Sequence, residues 1–268
     1  MATPAPPARG PFTDAAIQAG RLVEFTVEVA RACVRVVLYR RLAWKECLNQ
    51  AWFLTSVSTL PAMLMTIPLG VLVAVNIGAL AGQLGAANYS GAVVAFVVVG
   101  QAAPLVCALM ISGVGGSAIC SDLGARKLRE ETEAMEVMGL SVVERLVVPR
   151  LLSAVVVTVL LNGIVMAVGI GACLLVQVAQ GHSAEGFLST FTAFSKAGNF
   201  VVAEIKAATF AVFAALVSSF KGLTAKAGPS GLGDAVNEAV VLSFILVFVA
   251  NTTISELYPL FLPTKGEY

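Results

Sequence analysis

The sequence is poor in charge. Asp, Glu, Lys and Arg make up only 12% of its 268 residues, whereas a soluble domain carries about 25%. Hydrophobic residues account for 58%, and apolar runs longer than about 18 residues, enough to cross a bilayer core as a helix, recur along the chain. No polar stretch is long enough to form a soluble domain. The sequence therefore predicts an all-α integral membrane protein, and its net charge of +1 gives no reason to expect nucleic acid as a partner.

The residue types used for catalysis and metal binding are also scarce. The single histidine, His182, has no metal ligands near it in the sequence, and a phosphate-binding GxxxxGK[ST] motif is absent. The five cysteines show no CxxC spacing and are expected to be small core residues. We therefore predict no catalytic residue, no metal and no cofactor bound by this chain, and we do not expect an enzyme.

Proline and charge divide the chain into four regions. Residues 1–12 hold four of the eleven prolines and are predicted to form a disordered tail without a cleaved signal peptide. Residues 13–50 mix apolar and basic positions at helical spacing, which is typical of an amphipathic helix in the membrane interface; a soluble helix packed on a partner is the alternative. Residues 51–258 are predicted to form five transmembrane helices, and residues 259–268 a short tail. The predicted spans cover about 53–75, 92–117, 151–178, 200–220 and 235–258.

The basic residues predict the orientation of these helices. With the N-terminus in the cytoplasm, fourteen of the seventeen Lys and Arg residues fall in cytoplasmic segments, where membrane proteins concentrate them. We therefore predict a multi-pass protein of the cytoplasmic (inner) membrane. Its N-terminus would be cytoplasmic and its C-terminus extracytoplasmic.

Small and ionisable residues within the spans raise two further expectations. Glycines such as Gly116, Gly163 and Gly169 are expected to let neighbouring helices approach closely in lipid. Glu204 and Lys206 lie near the start of the fourth span, and their spacing directs them to different faces of a helix. They either snorkel to the outer headgroups or face a cavity inside the bundle, where ionisable groups tend to be functional.

One acidic stretch, EETEAMEVMGLS at residues 130–141, interrupts the apolar chain. By the predicted orientation it lies in the cytoplasm between the second and third spans, with Gly139 as a natural helix terminator. Three pairs have the i,i+4 spacing of a surface helix: Arg126 with Glu130, Lys127 with Glu131, and Arg129 with Glu133. The segment over residues 122–140 is therefore either a solvated helical loop or a coupling helix that docks on a soluble partner.

The segment GARKLREETEAMEVMGLSVVERLVVPRLL, residues 124–152, resembles the cytoplasmic signature of the MlaE/YrbE permease family, the membrane subunits of lipid ABC transporters. The motifs EIKAATFAV and KGLTAKAGPSGLGDAVNEAVVLSFILVFVAN follow it in the family's order, and the likeness runs from about residue 50 to 251. The core Glu133-Ala134-Met135, with Gly139 after it, is also similar to the EAA loop of bacterial ABC importers.

The resemblance implies a permease subunit that moves lipid or fatty acid inward in an Mce-type complex. It implies four partners: a cytoplasmic ABC ATPase that binds ATP and Mg²⁺, a second YrbE/MlaE-type permease, MCE-domain proteins on the outer side, and the lipid substrate. The residues implied to couple to the ATPase are Arg126, Glu130, Glu133, Ala134, Met138 and Gly139. Two other functions remain open, namely a stand-alone secondary transporter or channel and an assembly scaffold that carries no substrate.

The chain departs from the family in its second span. Where many members have an Arg-Glu pair this chain has Gly100 and Gln101, and where many have Arg it has Val114. In lacking these charges, the chain resembles one half of an unequal pair of permeases, namely the A-type half of the YrbE pair in mycobacterial Mce transporters. The family's lipid-contacting positions imply a substrate path in this chain at Leu72, Val75, Gly78 and Gln101, although the side chains at these positions differ from those of the family.

Overall fold

The computed structural model describes residues 11–38, 43–83, 90–195 and 197–261. These residues form helices joined by short turns, and no strand occurs among them. The helices in this part of the chain are α1 (Pro11–Leu38), α2 (Trp44–Gln83), α3 (Ser90–Leu128), α4 (Glu131–Val137), α5 (Val143–Ala179), α6 (Ala184–Phe194), α7 (Ala197–Leu223) and α8 (Pro229–Phe261).

Five of these helices, α2, α3, α5, α7 and α8, are long and apolar enough to cross a membrane. They confirm the predicted all-α membrane fold with five transmembrane helices. Each extends beyond its predicted span, because hydropathy marks only the apolar centre of a helix whose polar ends continue past the bilayer core.

The predicted C-terminal boundary of the interfacial helix, residue 50, is wrong. α1 ends at Leu38, and residues 44–50 form the first turns of α2. No proline or glycine separates these residues from the apolar run that follows, so the helix continues into it. α1 begins at Pro11, where the fixed φ of proline suits the first helical turn. The predicted tail of residues 1–12 therefore loses its last two residues, and residues 1–10 lie outside the described part. α8 continues to Phe261, which shortens the predicted tail of residues 259–268, and residues 262–268 also lie outside the described part.

α1 packs on the end of the bundle where α5 begins. Its side chains at Val29, Ala32 and Val36 are buried in one core cluster with Leu146 and Val147. A second apolar face of α1 is exposed, at Val23, Val27, Val34 and Leu38. One face therefore covers the bundle, while the other is free to contact lipid.

The segment between the third and fourth predicted spans contains a helix, α6, that hydropathy does not reveal. Its N-terminus is capped by Ser183, whose Oγ accepts the N–H of Gly186 at 3.3 Å. The start of α3 approaches α6 so closely that a Cβ at Gly91 would lie 2.3 Å from Phe187 O. α6 is thus tied to the bundle rather than lying loose at its surface.

Close helix contacts depend on particular glycines. A Cβ at Gly116 would lie 2.7 Å from Ser218 Oγ, and one at Gly169 would lie 3.1 Å from Val98 Cγ1. A Cβ at Gly163 would meet no heavy atom within 4 Å. The predicted packing role is therefore confirmed for Gly116 and Gly169 but is wrong for Gly163, which faces open space.

Gly222 of α7 permits the closest contact with the α3 backbone, and its replacement by alanine should destabilise the fold. A Cβ there would lie 2.8 Å from Cys120 O and 3.1 Å from Leu123 Cβ. Because backbone cannot move aside cheaply, we expect Gly222→Ala to cost about 1–3 kcal/mol, the usual range for overpacking. The matched control is Gly163→Ala, which should leave stability unchanged or raise it by up to about 1 kcal/mol through better helix propensity. Thermal unfolding in detergent measures both, and equal melting temperatures would contradict the prediction.

Candidate functional site

The acidic stretch forms a short helix, α4, between two left-handed corners. Glu130 has φ +59°, a backbone conformation uncommon for any residue except glycine. At the other end Gly139 has φ +75°, its N–H donates to Glu136 O at 2.9 Å, and the next N–H, of Leu140, donates to Met135 O at 2.9 Å. This is the hydrogen-bond pattern of a Schellman cap. The predicted helix over residues 122–140 is therefore wrong in extent, since residues 122–128 end α3 and α4 covers only Glu131–Val137.

α4 is anchored by two side chains and presents the others outward. Thr132 is buried, and Met135 packs against the main hydrophobic core. Glu133 and Ala134 are exposed, and the exposed fraction reaches 89% at Val137 and 66% at Met138. We call α4 with its flanking residues 130 and 138–140 the docking helix, after the role that the sequence predicts for it. It combines a charged side with an apolar tip, as a protein-binding surface does.

The ion pairs around the docking helix differ from those predicted. Arg129 Nε donates to Glu131 Oε1 at 2.8 Å, and Arg126 Nη1 lies 3.8 Å from Glu131 Oε2. The predicted i,i+4 pairs are wrong because the chain turns at Glu130, so that residues before and after it share no helical face. Within the described residues, no basic side chain lies within 4 Å of the Glu133 carboxylate.

Lys206 is buried inside the bundle, with only 3% of its surface exposed. Its Nζ donates to Gly100 O on α3 at 3.0 Å and to Ser255 Oγ on α8 at 2.9 Å. Gly100 lies in a π-helical segment of α3, Ala95–Ala102, and Pro104 has no N–H to offer to this carbonyl four residues before it. Among the described residues, no carboxylate lies within 4 Å of Nζ. The lysine therefore connects three helices without a neutralising partner.

Glu204 contacts a different helix. Its Oε1 accepts from Asn162 Nδ2 on α5 at 3.1 Å, and its Oε2 is buried without a hydrogen-bond partner among the described residues. Both side chains thus hydrogen-bond to neighbouring helices, but neither lines the void or the cleft described below, so the predicted alternative of a functional cavity stays untested. They also point to different helices, as their spacing predicts.

Among the described residues, neither the void between α2, α3 and α5 nor the cleft beside α1 is lined by any of the four predicted substrate-path residues. Leu72 and Val75 are exposed on α2, and Gln101 is partly exposed in the π-helical segment of α3. Gly78 faces the end of α5, where a Cβ would lie 2.9 Å from Gln180 Oε1. The void between α2, α3 and α5 measures only about 10 Å³, is lined by none of these four residues, and has room for about one water.

A larger cleft, of about 470 Å³, opens where α1 meets the turn between α7 and α8. Lys221 forms one wall, and its Nζ donates to Glu238 Oε2 at 2.6 Å and to Gln18 Oε1 at 3.2 Å. Arg21 and Asp234 also line the cleft. Because its lining mixes acidic and basic groups, the cleft favours no ligand charge. In the described part of the chain, no group of three or more His, Cys, Asp or Glu is arranged to hold a metal.

The comparison with protein families agrees with this architecture. The profile described as Permease MlaE matches residues 47–257, which include the docking helix and nearly all of the five spanning helices. More than half of the chain is covered by this one match.

Several relatives carry names of the same kind. A probable ABC transporter permease protein of Rickettsia bellii is 24% identical over 242 residues, which are 89% of this chain and 91% of the relative. A probable ABC transporter permease protein of Synechocystis is 26% identical over 172 residues, 64% of this chain and 65% of the relative. The chloroplastic protein TRIGALACTOSYLDIACYLGLYCEROL 1 of Arabidopsis thaliana is 25% identical over 177 residues, 66% of this chain. The chain spans only 51% of that relative's length. On the family match, the chain belongs to the MlaE permease family.

Proposed function

We propose that this chain is the membrane subunit of an ATP-driven lipid transporter and that the docking helix receives a separate ABC ATPase. Membership of the MlaE family makes the chain an ABC transporter permease, a transport subunit rather than an enzyme. The observation that carries the rest is the docking helix, which exposes its apolar tip and the Glu133 carboxylate between two left-handed corners. Among the described residues this carboxylate has no ion pair. A short helix presented in this way suits a groove on a soluble subunit. ATP and Mg²⁺ would be bound by that subunit.

The burial of the spans supports a second permease as partner. The apolar windows of α2 and α8 are only 17% buried, against 50–56% for α3, α5 and α7. The void of about 10 Å³ inside one copy is far smaller than an acyl chain. A second permease placed against α2 would enclose an apolar path along Leu72 and Val75, and such a wall suits acyl chains rather than polar solutes.

The lipid class and the wider assembly are further parts of this proposal. The Arabidopsis relative is named after a glycerolipid, which favours a lipid substrate for this chain. Gly100 and Gln101 stand where the family resemblance leads us to expect charge, which favours an unequal pair of permeases in an Mce-type complex. We propose that MCE-domain proteins bind on the outer side and that the lipid moves inward.

The proposed orientation can be tested by cysteine labelling. We expect a membrane-impermeant maleimide added from outside to modify a cysteine at position 266, beyond the described residues, and to spare one at position 131. The reason is the concentration of Lys and Arg on the proposed cytoplasmic side. All five native cysteines should first be replaced, including Cys33, whose thiol has a pKa raised by burial. Labelling of position 131 alone would reverse the topology and remove the docking helix from the cytoplasm.

The proposed partnership predicts which proteins purify together. Affinity purification of this chain from its native membrane should recover a related but distinct permease and an ABC ATPase. Proteoliposomes of that complex should move lipid only with ATP, whereas the chain alone should not, because it has no nucleotide-binding motif. A variant with Glu144→Gln, which alters an exposed ion pair with Arg35, serves as a control for expression. ATP-independent transport by the chain alone would favour the stand-alone transporter instead.

A further inference from the structure

An ion pair between a buried arginine and a partly exposed aspartate joins the two spans on either side of the docking helix. Arg150, near the start of α5, is 0% exposed, and its Nη2 donates to Asp122 Oδ2 on α3. Its Nη1 donates to Leu146 O at 2.7 Å, and its Nε has no partner among the described residues. No other carboxylate in this part of the chain lies within 4 Å of the guanidinium. A buried arginine with one carboxylate depends on it, because an unpaired charge is strongly disfavoured inside a protein.

The ion pair continues outward as a chain of contacts with alternating charge. Asp122 Oδ1 accepts from Arg126 Nε at 3.4 Å, and Arg126 Nη1 lies 3.8 Å from Glu131 Oε2 in the first turn of α4. The contacts thus lead from the docking helix through α3 to the buried start of α5. Because Arg126 contacts both Asp122 and Glu131, a displacement of α4 would alter the charges around the Asp122–Arg150 pair.

The backbone of α5 is irregular next to Arg150. A π-helical segment, Val143–Val147, directly precedes the regular helix that carries Arg150, and such segments often mark functional positions in helices. One turn further, Ser153 Oγ lies 2.7 Å from Cys47 O at the start of α2 and 2.7 Å from Pro149 O in its own helix, so these two acceptors share its one hydroxyl proton. A shift of α5 at Arg150 would therefore reach α2, the span along which the lipid path is proposed.

We infer that Asp122 and Arg150 are positioning residues that transmit movement of the docking helix to α5 and α2. The inference rests on the proposed function, since it requires an ATPase on the docking helix. It goes beyond that function by locating the coupling inside the permease, at a pair that lies outside both the docking helix and the proposed lipid path. The two residues therefore set how much transport each ATP produces rather than whether the ATPase binds.

The experiment uses the complex of this chain with its co-purified ATPase and second permease. It is reconstituted in phosphatidylethanolamine and phosphatidylglycerol vesicles, with NBD-labelled phosphatidylethanolamine as the probe. The readout is the amount of probe moved per ATP hydrolysed. Asp122→Asn keeps the shape of the side chain and removes its charge, so we expect this ratio to fall by about tenfold while the ATPase stays bound. Asp122→Glu keeps the charge and should stay within about threefold of wild type.

The control variant and the outcomes that would contradict the inference are judged by the same ratio of probe moved to ATP hydrolysed. Glu28→Gln removes an exposed carboxylate of α1 that has no ion pair among the described residues, and it should leave the ratio unchanged. A merely structural role for Asp122 would reduce the yield of complex but not the ratio, so a ratio for Asp122→Asn within about twofold of wild type overturns the inference. If Asp122→Asn fails to fold, Arg126→Gln tests the outer link, with ATPase binding measured by pull-down beside the ratio. Loss of the ATPase, or an unchanged ratio with the ATPase bound, overturns the inference as well. A wild-type chain that captures no ATPase, or moves no probe, would instead overturn the proposed function.

Discussion

Replacing Gly139 by valine should leave the chain folded in the membrane and reduce ATP-driven transport by about tenfold or more. Gly139 has φ +75°, a conformation that costs a residue other than glycine about 1–3 kcal/mol and suits β-branched residues least. A Cβ at this position would meet no heavy atom within 4 Å, so the effect comes from the backbone and not from crowding. The valine would rotate out of the left-handed region and redirect Met138 and Leu140, the apolar end of the docking helix.

The matched control is Gly139→Asn, because asparagine tolerates the left-handed region better than other residues with a side chain. It should retain ATPase binding and transport. Both variants should insert normally, and a pull-down of the ATPase together with lipid uptake in proteoliposomes distinguishes them. Equal transport by the valine and asparagine variants would show that the left-handed corner is irrelevant to coupling.

Glu133→Lys tests the charged side of the same helix. The Glu133 side chain is exposed and has no ion pair in the described part of the chain, so its reversal should not affect folding. If the carboxylate is paired and desolvated against the ATPase, its loss costs about 2–5 kcal/mol of binding. We expect the pull-down to lose the ATPase. Wild-type association by both Glu133→Lys and Gly139→Val would reduce the docking helix to a solvated loop.

Replacing Lys206 by glutamate should remove most of the folded protein. The variant would place a carboxylate against Gly100 O, an acceptor, where Nζ now donates at 3.0 Å. A buried charge without a partner costs about 3–5 kcal/mol, a large part of the 5–15 kcal/mol that stabilises a typical protein. The measurement is the yield of monodisperse protein after detergent extraction, followed by its thermal unfolding.

Two matched variants isolate the cause at Lys206. Lys206→Met keeps the length of the side chain and removes the buried charge, although it leaves Gly100 O and Ser255 without this donor, at about 1–3 kcal/mol. It should therefore be much less damaging than glutamate. Lys226→Glu makes the same charge reversal at an exposed position and should have little effect. Wild-type yield of Lys206→Glu would mean that the lysine does not lie inside the bundle.

The features that follow from local composition could be predicted from the sequence. The five apolar runs predicted the five transmembrane helices, because the thickness of the bilayer core sets a minimum length for an apolar run that crosses it. The acidic stretch located the docking helix, and Gly139 marked its end because glycine is the usual residue for a left-handed cap. Its role in ATPase coupling stays a prediction.

The features that depend on the path of the chain could not be predicted. Glu130 turns left-handed, so the i,i+4 pairing rule, which assumes a continuous helix, assigned wrong partners to Arg126 and Arg129. The exposure of Val137 could not be predicted, because the neighbouring sequence gives no sign that this apolar side chain remains exposed. A signal for the ion pair did exist, since Arg150 stands at the head of a long apolar run and needs a carboxylate. Its partner Asp122 is 28 residues earlier, and only the fold brings the two together.

The position of Lys206 has a consequence for how the protein is made. α7 carries this lysine and Glu204 within its first ten residues. Charged residues oppose the insertion of a membrane helix, at most by the about 2.5–3.5 kcal/mol that applies at its centre. The two hydrogen-bond acceptors of the lysine are synthesised at different times. Gly100 on α3 has left the ribosome long before α7, whereas Ser255 on α8 follows 49 residues later. α7 should therefore insert most easily alongside an α3 that is already in the bilayer, and α8 completes the site only after it has been synthesised in its turn.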